Sequence, residues 1–161
     1  MDVALRIRPI QPSDYRLVIS VIDDWWGGRH MADMLPRLFF EHFTDTSFAA
    51  ERDGELVGFL VGFQSQSRPA EAYIHFVGIH PAERGHGLGR QLYEGFFAAA
   101  RARGCDLVRA VTAPVNRGSV RFHTQMGFDI EPGDAQAGGV PVAAGYDGDG
   151  QDRVRFVRKL R

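Results

Sequence analysis

Three glycines at alternate positions separate an apolar segment from an amphipathic one. The loop reads Arg84-Gly85-His86-Gly87-Leu88-Gly89-Arg90. Glycine lets a backbone turn tightly and expose its N–H groups, and the start of the following helix adds unpaired N–H groups and the positive end of a dipole. Arg84 adds a permanent positive charge that suits a pyrophosphate oxygen. We therefore expect this loop to bind a ligand that carries phosphate.

The spacing of the glycines limits which phosphate ligand fits. A dinucleotide-binding fingerprint has its third glycine three positions after the second, whereas here Gly89 comes one position early. The Walker pattern, in which a lysine and a hydroxyl residue follow the last glycine, does not occur in the chain. The remaining pattern is an arginine at position 84 with glycines at 87 and 89, after an apolar strand and before a leucine-bearing helix.

Composition excludes several classes of protein. The 161 residues suit one domain, and the net charge of −1 without a basic stripe argues against a nucleic-acid partner. Cys105 is the single cysteine, which rules out an internal disulfide and fits a reducing compartment. With no signal peptide and no apolar run able to span a bilayer, we expect a cytoplasmic protein without a membrane partner. The histidines show no metal-ligand spacing, so we expect no metal.

Apolar periodicity predicts alternating strands and helices. Asp53-Gly54 lies between two strand-like runs and is a strong hairpin signal. The segment 129–145 is rich in glycine, proline and alanine, and we interpret it as a loop with at most one short strand. Strands are expected at 5–10, 48–52, 56–63, 72–79, 107–112 and 153–160, and helices from 13 or 14, from 33–36 to 43, at 88–103 and at 119–126.

A second motif follows the predicted strand 107–112. It reads Asn116-Arg117-Gly118-Ser119-Val120-Arg121-Phe122-His123, with Gly127 and Phe128 closing it. Together with the Arg84 to Gly89 loop and the order of elements, this resembles the GNAT superfamily of N-acetyltransferases over nearly the whole chain. That family usually has alanine where this chain has Ser119 and tyrosine where it has His123.

The resemblance implies a fold. We expect an α/β domain over residues 1–161, with a central mixed β-sheet flanked by about four helices. In the family two parallel strands, here 72–79 and 107–112, splay apart and leave a slot. For Gly78, on the first of these strands, we consider two interpretations, a β-bulge and close packing against a helix.

The resemblance also implies acetyl-CoA as cosubstrate. Its pyrophosphate would lie on the glycine loop, whose residues 84–90 are all cofactor-binding candidates. The pantetheine arm and the thioester carbonyl would meet the backbone of Val77, Gly78 and Ile79. The third group of cofactor-binding candidates comes from the second motif and comprises Asn116, Ser119 and Phe122.

Two histidines are the catalytic candidates. His123 occupies the position of the family's tyrosine, which is credited with protonating the CoA thiolate, and an imidazolium could supply that proton. By strand alternation His75 shares a face with Tyr73 and Val77, where it could accept the proton of the amine directly or through water. A hydrogen-bonded structural histidine is the alternative for each.

Two segments are candidates for binding the acceptor. Tryptophans in a glycine-rich loop either line a pocket or cover the core. The loop after the first helix offers Asp24, Trp25, Trp26 and Arg29. On the other side, Tyr73 and the segment beginning Tyr146-Asp147 could surround a cationic amine, although the latter would also suit a solvated turn.

The interpretation is a GNAT-type acyltransferase that moves an acetyl group from acetyl-CoA to a primary amine of a small molecule or peptide by direct attack in a ternary complex. The rival from another class is a non-catalytic acyl-CoA-binding regulatory module, which the missing tyrosine favours. A homodimer stays open, and the sequence does not identify the amine.

Overall fold

The computed structural model describes residues 4–160. The strands in this range are β1 (Leu5–Pro9), β2 (Phe48–Arg52), β3 (Glu55–Gln64), β4 (Glu71–Ile79), β5 (Leu107–Thr112), β6 (Asp129–Ile130), β7 (Ala135–Ala137), β8 (Val140–Val142) and β9 (Val154–Lys159). Seven of them form a mixed sheet in the order β1-β2-β3-β4-β5-β9-β6, in which β4 and β5 are parallel. This is the predicted fold class.

The α-helices of the described chain cover both faces of this sheet. They are α1 (Asp14–Trp25), α2 (Leu38–His42), α3 (Leu88–Ala102) and α4 (Arg117–Gln125). The second helix is shorter than predicted, because a 3-10 turn at Ala32–Met34 and the extended Leu35 (φ −131°, ψ 78°) come before it. Leu35 precedes Pro36, and the proline ring disfavours a helical conformation in the residue before it.

Helix α1 shows where local capping signals mislead. Ser13 occupies the N-cap position but makes no side-chain cap bond. Asp14, 3% exposed, instead accepts the Gln11 N–H and a bidentate pair of bonds from Arg8. Leu17, although apolar, is 55% exposed. The start of α1 is therefore held by a buried ion pair to β1 rather than by a serine cap.

The sheet separates two apolar clusters. The α3 core lies on the face covered by α3 and contains Leu60 and Leu92, whereas the α1 core lies on the opposite face and contains Ile22 and Phe59. Phe59, Leu60 and Val61 of β3 alternate between the two cores, as the period of a β-strand requires, whereas the register shift beside Val57 interrupts the alternation before them. The residues of β4 that pair with β3 therefore also pack in one core or the other.

Strand β4 contains a bulge at His75. Val61 pairs with Phe76 but Gly62 pairs with Ile74, so His75 is an extra residue without a register partner. As a consequence Ile74 packs in the α3 core and Phe76 in the α1 core, although they lie two positions apart. The bulge predicted at Gly78 was wrong.

Gly78 has a different structural reason. It pairs in regular register with Phe59, and a Cβ atom on Gly78 would lie 2.4 Å from Phe59 Cε1. The close packing is therefore against a ring of the adjacent strand and not against a helix. Phe59 is fully buried and has no room to move away.

The segment 129–145 holds more strand than predicted. Besides β6, it forms the separate β7–β8 hairpin, which is closed by Gly138 and Gly139 with φ of 58° and 82°. A two-residue glycine turn with positive φ is typical of tight hairpins. The Gly138-Gly139 pair was therefore an available signal that the loop interpretation did not use.

We expect Gly78→Ala to lower the free energy of unfolding by about 1–3 kcal/mol, because the new methyl group overlaps Phe59 in a filled core. Gly95→Ala is the matched control, since Gly95 lies in α3 with nothing within 4 Å of its added Cβ, and alanine there should be neutral or stabilising. Urea unfolding of both variants is the measurement. Wild-type stability in Gly78→Ala would contradict the proposed packing.

Candidate active site

A cleft opens where β4 and β5 separate. The two strands pair only at Glu71–Tyr73 with Leu107–Arg109, although both continue beyond that point. The cleft has a volume of about 610 Å³. Its lining comprises Trp25, Trp26, Gly27, Arg29, Val77, Ile79, Arg84, Gly89, Asn116, Gly118, Ser119, Phe122 and His123. The predicted slot between the splayed strands is therefore present.

The glycine loop forms the start of α3 beside this cleft. Gly85 and Gly87 have φ of 80° and 85°, a left-handed conformation that favours glycine. Gly87 is the N-cap of the 15-residue helix and offers no side-chain cap, and the first turn contains no acidic residue. The first N–H groups of α3 and its dipole are thus available to an anion. Gly85, His86, Gly87 and Arg90 are exposed, whereas Leu88 is buried in the α3 core.

Arg84 lines the cleft and also ties the loop to two other elements. Its Nε donates to the Ile79 carbonyl at the end of β4, and its Nη2 donates to the Trp25 carbonyl at the end of α1. The guanidinium charge is therefore held at the cleft by fixed backbone acceptors. Donors that remain free on this side chain could still contact a phosphate.

Helices α3 and α4 meet closely at the cleft. A Cβ atom on Gly89 would lie 3.3 Å from two ring atoms of Phe122. Asn116 is the N-cap of α4, and its Oδ1 accepts the Ser119 N–H at 3.1 Å. Asn116 therefore orders the start of α4, and its amide NH₂ group remains as a donor beside the cleft.

His123 lines the cleft but is only 4% exposed. Its Nδ1 lies 2.7 Å from the Ser119 carbonyl oxygen, and because a carbonyl can only accept, Nδ1 carries the proton. Its Nε2 lies 2.8 Å from the Tyr93 hydroxyl. Burial lowers the pKa of His123 to about 4, although the bond to Ser119 opposes the shift. The imidazole is therefore neutral near pH 7.

Tyr93 explains why the neutral form is the stable one. Its hydroxyl is buried, and within residues 4–160 the bond to His123 is the one that satisfies it. With Nε2 unprotonated, the hydroxyl donates to it, whereas an imidazolium would leave the tyrosine proton without an acceptor. Burial also raises the pKa of Tyr93, so the proton stays on the phenol. This arrangement favours the neutral imidazole over the imidazolium acid expected from the sequence, and a catalytic role of His123 stays a prediction.

His75 does not share a face with Val77, contrary to the strand-alternation argument. The bulge turns the two apart: Val77 packs against the α3 core and lines the cleft, whereas the His75 ring stacks on Phe39 at 4.3 Å. Nε2 of His75 lies 2.7 Å from the Met34 carbonyl oxygen, so Nε2 is the protonated nitrogen and Nδ1 has a free lone pair. Burial lowers the pKa of His75, partly offset by the Met34 bond and by Asp147.

Three of the residues predicted at the acceptor end, Tyr73, Tyr146 and Asp147, lie near His75. Burial raises the pKa of Tyr73 to about 12, with contributions from Tyr146 and Asp147. Asp147 also acts on His75 and forms an ion pair with Arg153 at 2.7 Å. These side chains lie outside the lining of the 610 Å³ cleft. They form a second group that we call the His75 group: Tyr73, His75, Tyr146 and Asp147.

Asp24 and Trp25 belong to the last turn of α1 and not to the predicted loop, which begins at the C-cap Trp26. The two tryptophans both cover the core and line the cleft. Trp25 is 4% exposed and belongs to the α1 core, and Trp26 packs at 5.0 Å from the Phe76 ring, yet both line the cleft. Arg29 is exposed at the cleft, and Asp24 is exposed outside its lining. The tryptophans thus connect the core to the cleft wall.

Three residues at the site were not predicted. Gly27 and Gly118 line the cleft, and Tyr93 lies behind His123. Tyr93 is adjacent to the apolar stripe of α3, and a tyrosine near a core stripe needs a hydrogen-bond partner. That requirement was the available signal, but its partner on α4 could not be identified from spacing.

Comparison with known proteins identifies the family. Residues 13–128 match the profile described as the acetyltransferase (GNAT) family. The chain belongs to this GNAT family.

Two curated relatives show where the similarity lies. L-2,4-diaminobutyric acid acetyltransferase from Virgibacillus pantothenticus is 33% identical over 79 residues, which cover 49% of this chain and 50% of the relative. Mycothiol acetyltransferase from Thermobispora bispora is 40% identical over 85 residues, which cover 50% of this chain and 29% of the relative. The chain thus spans half or less of the length of these relatives.

Solved structures of the GNAT family share the fold over the whole chain. A GNAT-family protein from Desulfovibrio desulfuricans has a TM-score of 0.80 and 21% identity, covering 98% of this chain and 100% of that one. Diaminobutyrate acetyltransferase from Paenibacillus lautus, solved with L-2,4-diaminobutyric acid and coenzyme A, has a TM-score of 0.73 and 20% identity, covering 99% and 96%. At these identities the similarity establishes the fold.

Two further findings apply to the described part of this GNAT protein. Between residues 4 and 160, no helix is both long and apolar enough to cross a membrane. The same residues hold no group of three or more His, Cys, Asp or Glu side chains that could bind a metal ion.

The Tyr93–His123 bond can be measured by a double-mutant cycle. His123→Phe should destabilise the protein by about 1–3 kcal/mol, because it leaves the buried Tyr93 hydroxyl without an acceptor. Tyr93→Phe with His123→Phe removes both partners and should cost less than the sum of the single changes. Urea unfolding at pH 7 gives the three values. Additive costs would show that the two groups do not interact.

Proposed function

We propose that this GNAT protein is an N-acetyltransferase that uses acetyl-CoA to acetylate a primary amine of a small molecule or peptide. The observation that carries the proposal is the cleft between β4 and β5, which runs from the unpaired N–H groups of α3 to the unpaired edge of β4. Support also comes from two relatives named as acetyltransferases and from a structural neighbour solved with coenzyme A.

The residues at the cleft fit the chemical groups of CoA. The N–H groups at the start of α3 and the charge of Arg84 suit the pyrophosphate. Beyond the last pair of β4 with β5, the N–H and C=O groups that face the gap suit the amides of the pantetheine arm. On the other wall we assign Asn116, Ser119 and Phe122 to contacts with the same arm.

We assign the acceptor to the opposite end of the gap, beside the His75 group. The neutral His75 presents a free Nδ1 lone pair, and Asp147 supplies negative charge near it. A primary amine approaches as its ammonium form and must lose a proton before it attacks the thioester carbonyl. His75 would accept that proton directly or through water. Trp26 and Arg29 line the part of the cleft that follows α1 and form the remaining wall.

L-2,4-diaminobutyrate is the first acceptor to test. It is the compound named in the first relative and in the ligand of the structural neighbour. This compound carries two amines, whose positive charge suits Asp147, and a carboxylate, whose negative charge suits Arg29. The chain covers half of the first relative, so other small amines and peptide amino termini belong in the same screen.

A non-catalytic acyl-CoA-binding module is the second candidate. The buried His123 at the family's tyrosine position favours it, since burial lowers the pKa of this residue to about 4 and so disfavours the cationic acid. The two candidates differ in whether acetyl-CoA is consumed when amines are present.

We expect the wild-type protein to release free thiol from acetyl-CoA above background with at least one amine. Gly87→Glu should weaken CoA binding by roughly tenfold or more, because a side chain and a negative charge enter the anion site. Gly139→Glu is the matched control: Gly139 has φ of +82°, close to +85° at Gly87, but lies in the β7–β8 turn outside the cleft. Thiol release and calorimetric CoA binding are the measurements.

The outcomes of this experiment separate the candidates. CoA binding without thiol release for any amine would support the binding module. Equal CoA affinity in Gly87→Glu and Gly139→Glu would remove the glycine loop from the cofactor site.

We expect His75→Phe to lower kcat/KM by roughly a hundredfold while retaining the ring that stacks on Phe39. His75 is a base only when neutral, and burial lowers its pKa below 6.5. Wild-type activity should therefore be present above that pKa and be lost as the pH falls through it. His42→Phe, at an exposed histidine of α2, is the control. An unchanged acid limb in His75→Phe would show that another group accepts the proton.

A further inference from the structure

We propose that the Ser119 hydroxyl donates a hydrogen bond to the sulfur of the departing CoA thiolate, and that His123 is the residue that positions this hydroxyl. The inference rests on the proposed acetyltransferase function and identifies how the reaction proceeds without the family's tyrosine. Ser119 is here a catalytic residue, whereas His123 acts through it.

Ser119 and His123 lie one helical turn apart on the face of α4 that lines the cleft. The Ser119 Oγ atom is 3.2 Å from His123 Nδ1, and the Ser119 carbonyl oxygen is 2.7 Å from the same nitrogen. One imidazole N–H is therefore shared between the carbonyl and the hydroxyl oxygen of a single residue. This contact fixes the rotamer of Ser119.

The hydrogen bonds between His123 and Ser119 leave the hydroxyl proton of Ser119 without an acceptor. Because Nδ1 donates to the carbonyl, it cannot also accept from Oγ, so the hydroxyl oxygen is the acceptor in that contact. Nε2 is occupied by the Tyr93 hydroxyl. Within residues 4–160 the Ser119 hydroxyl makes no other hydrogen bond, so its proton has no protein acceptor and is available to a ligand in the cleft.

Other hydroxyls in helices of the same chain behave differently. Ser20 Oγ donates to the Leu17 carbonyl at 2.7 Å, and Thr124 Oγ1 donates to the Arg121 carbonyl at 2.9 Å. Bonding back to the preceding turn is the usual solution for serine and threonine in a helix. Ser119 does not use it, although it lies in the first turn of α4 beside the cleft.

The reaction balances without a protein acid. The amine nitrogen forms a bond to the acetyl carbon, and the C–S bond breaks with its electron pair on sulfur. The proton of the amine leaves to His75 or to water. The thiolate accepts the hydrogen bond from Ser119 Oγ–H and later takes its proton from solvent. Because Ser119 keeps its own proton, no step requires His123 to be charged.

The two departures from the family motif, Ser119 in place of alanine and His123 in place of tyrosine, are therefore linked. Where the family has a phenol hydroxyl at the second position and a methyl group at the first, this chain has a neutral imidazole at 123 and a hydroxyl at 119. The donor moves back by one helical turn, and the histidine holds it in place.

We expect Ser119→Ala to lower kcat by about tenfold to hundredfold, the loss of one hydrogen bond to a charged group, with a smaller loss of CoA affinity because Ser119 also contacts the pantetheine arm. The factor should be the same from pH 6 to pH 9, because a serine hydroxyl does not titrate there. Thr124→Ala, on the exposed side of α4, should leave kcat unchanged. Ser119→Thr should recover part of the rate.

A second set of variants tests the role of His123. His123→Phe should lower kcat, and adding Ser119→Ala to it should cost little more, because the two residues act as a unit. Ser119→Ala combined with His123→Tyr should regain activity through the phenol. CoA binding by calorimetry confirms that each variant is folded. Wild-type kcat in Ser119→Ala would overturn the proposal while leaving acetyl transfer intact, whereas no turnover by wild-type protein would count against the proposed function itself.

Discussion

The separation of β4 from β5 after a few paired residues is the constraint on which the rest of the structure depends. Each strand is paired on its outer side, β4 with β3 and β5 with β9. Beyond Tyr73 and Arg109, the N–H and C=O groups that face the gap have no strand partner. Unpaired backbone groups at a sheet edge favour a ligand with amides, since such a ligand can pair as an added strand would.

The walls of this gap are held by buried contacts between helices. Tyr93 on α3 bonds to His123 on α4, and His123 stacks at 4.4 Å on Phe156 of β9. The cost of burying two polar groups is offset only while each satisfies the other. The same bond that secures α4 against α3 also fixes the histidine as a neutral donor at Nδ1. The Tyr93–His123 hydrogen bond therefore both stabilises the packing of α4 on α3 and favours an uncharged His123 at the cleft.

Local signals predicted the parts of the site that are local in the chain. The turn at Gly87 and the long helix from Leu88 follow from residue types within one turn of the feature, whereas the helix predicted at 119–126 begins earlier, at Arg117, with Asn116 as an N-cap that was not predicted. The His75 bulge could not be predicted in this way, because strand alternation assumes a regular strand and one extra residue reverses every later side chain. The Tyr93–His123 contact is also invisible locally, since 30 positions separate the two residues. Long-range contacts therefore lower the pKa of both catalytic candidates in a way that the sequence did not show.

The bulge in β4 affects the faces of the sheet from which the two substrates would approach. Val77 and the start of α3 lie toward the α3 core, whereas His75 lies toward the α1 core on the other face of the sheet. A cofactor held by the glycine loop and an amine held by the His75 group would therefore approach each other from opposite faces. They would meet at the gap between the strands, where the sheet has no hydrogen bonds to interrupt. In a regular strand without the extra residue, the side chains at positions 73, 75 and 77 would all point to the α1 side of the sheet. Val77 would then no longer contribute an apolar side chain to the cleft lining. On the proposed function, one inserted residue in β4 would thus let a single strand serve the donor on one face and the acceptor on the other.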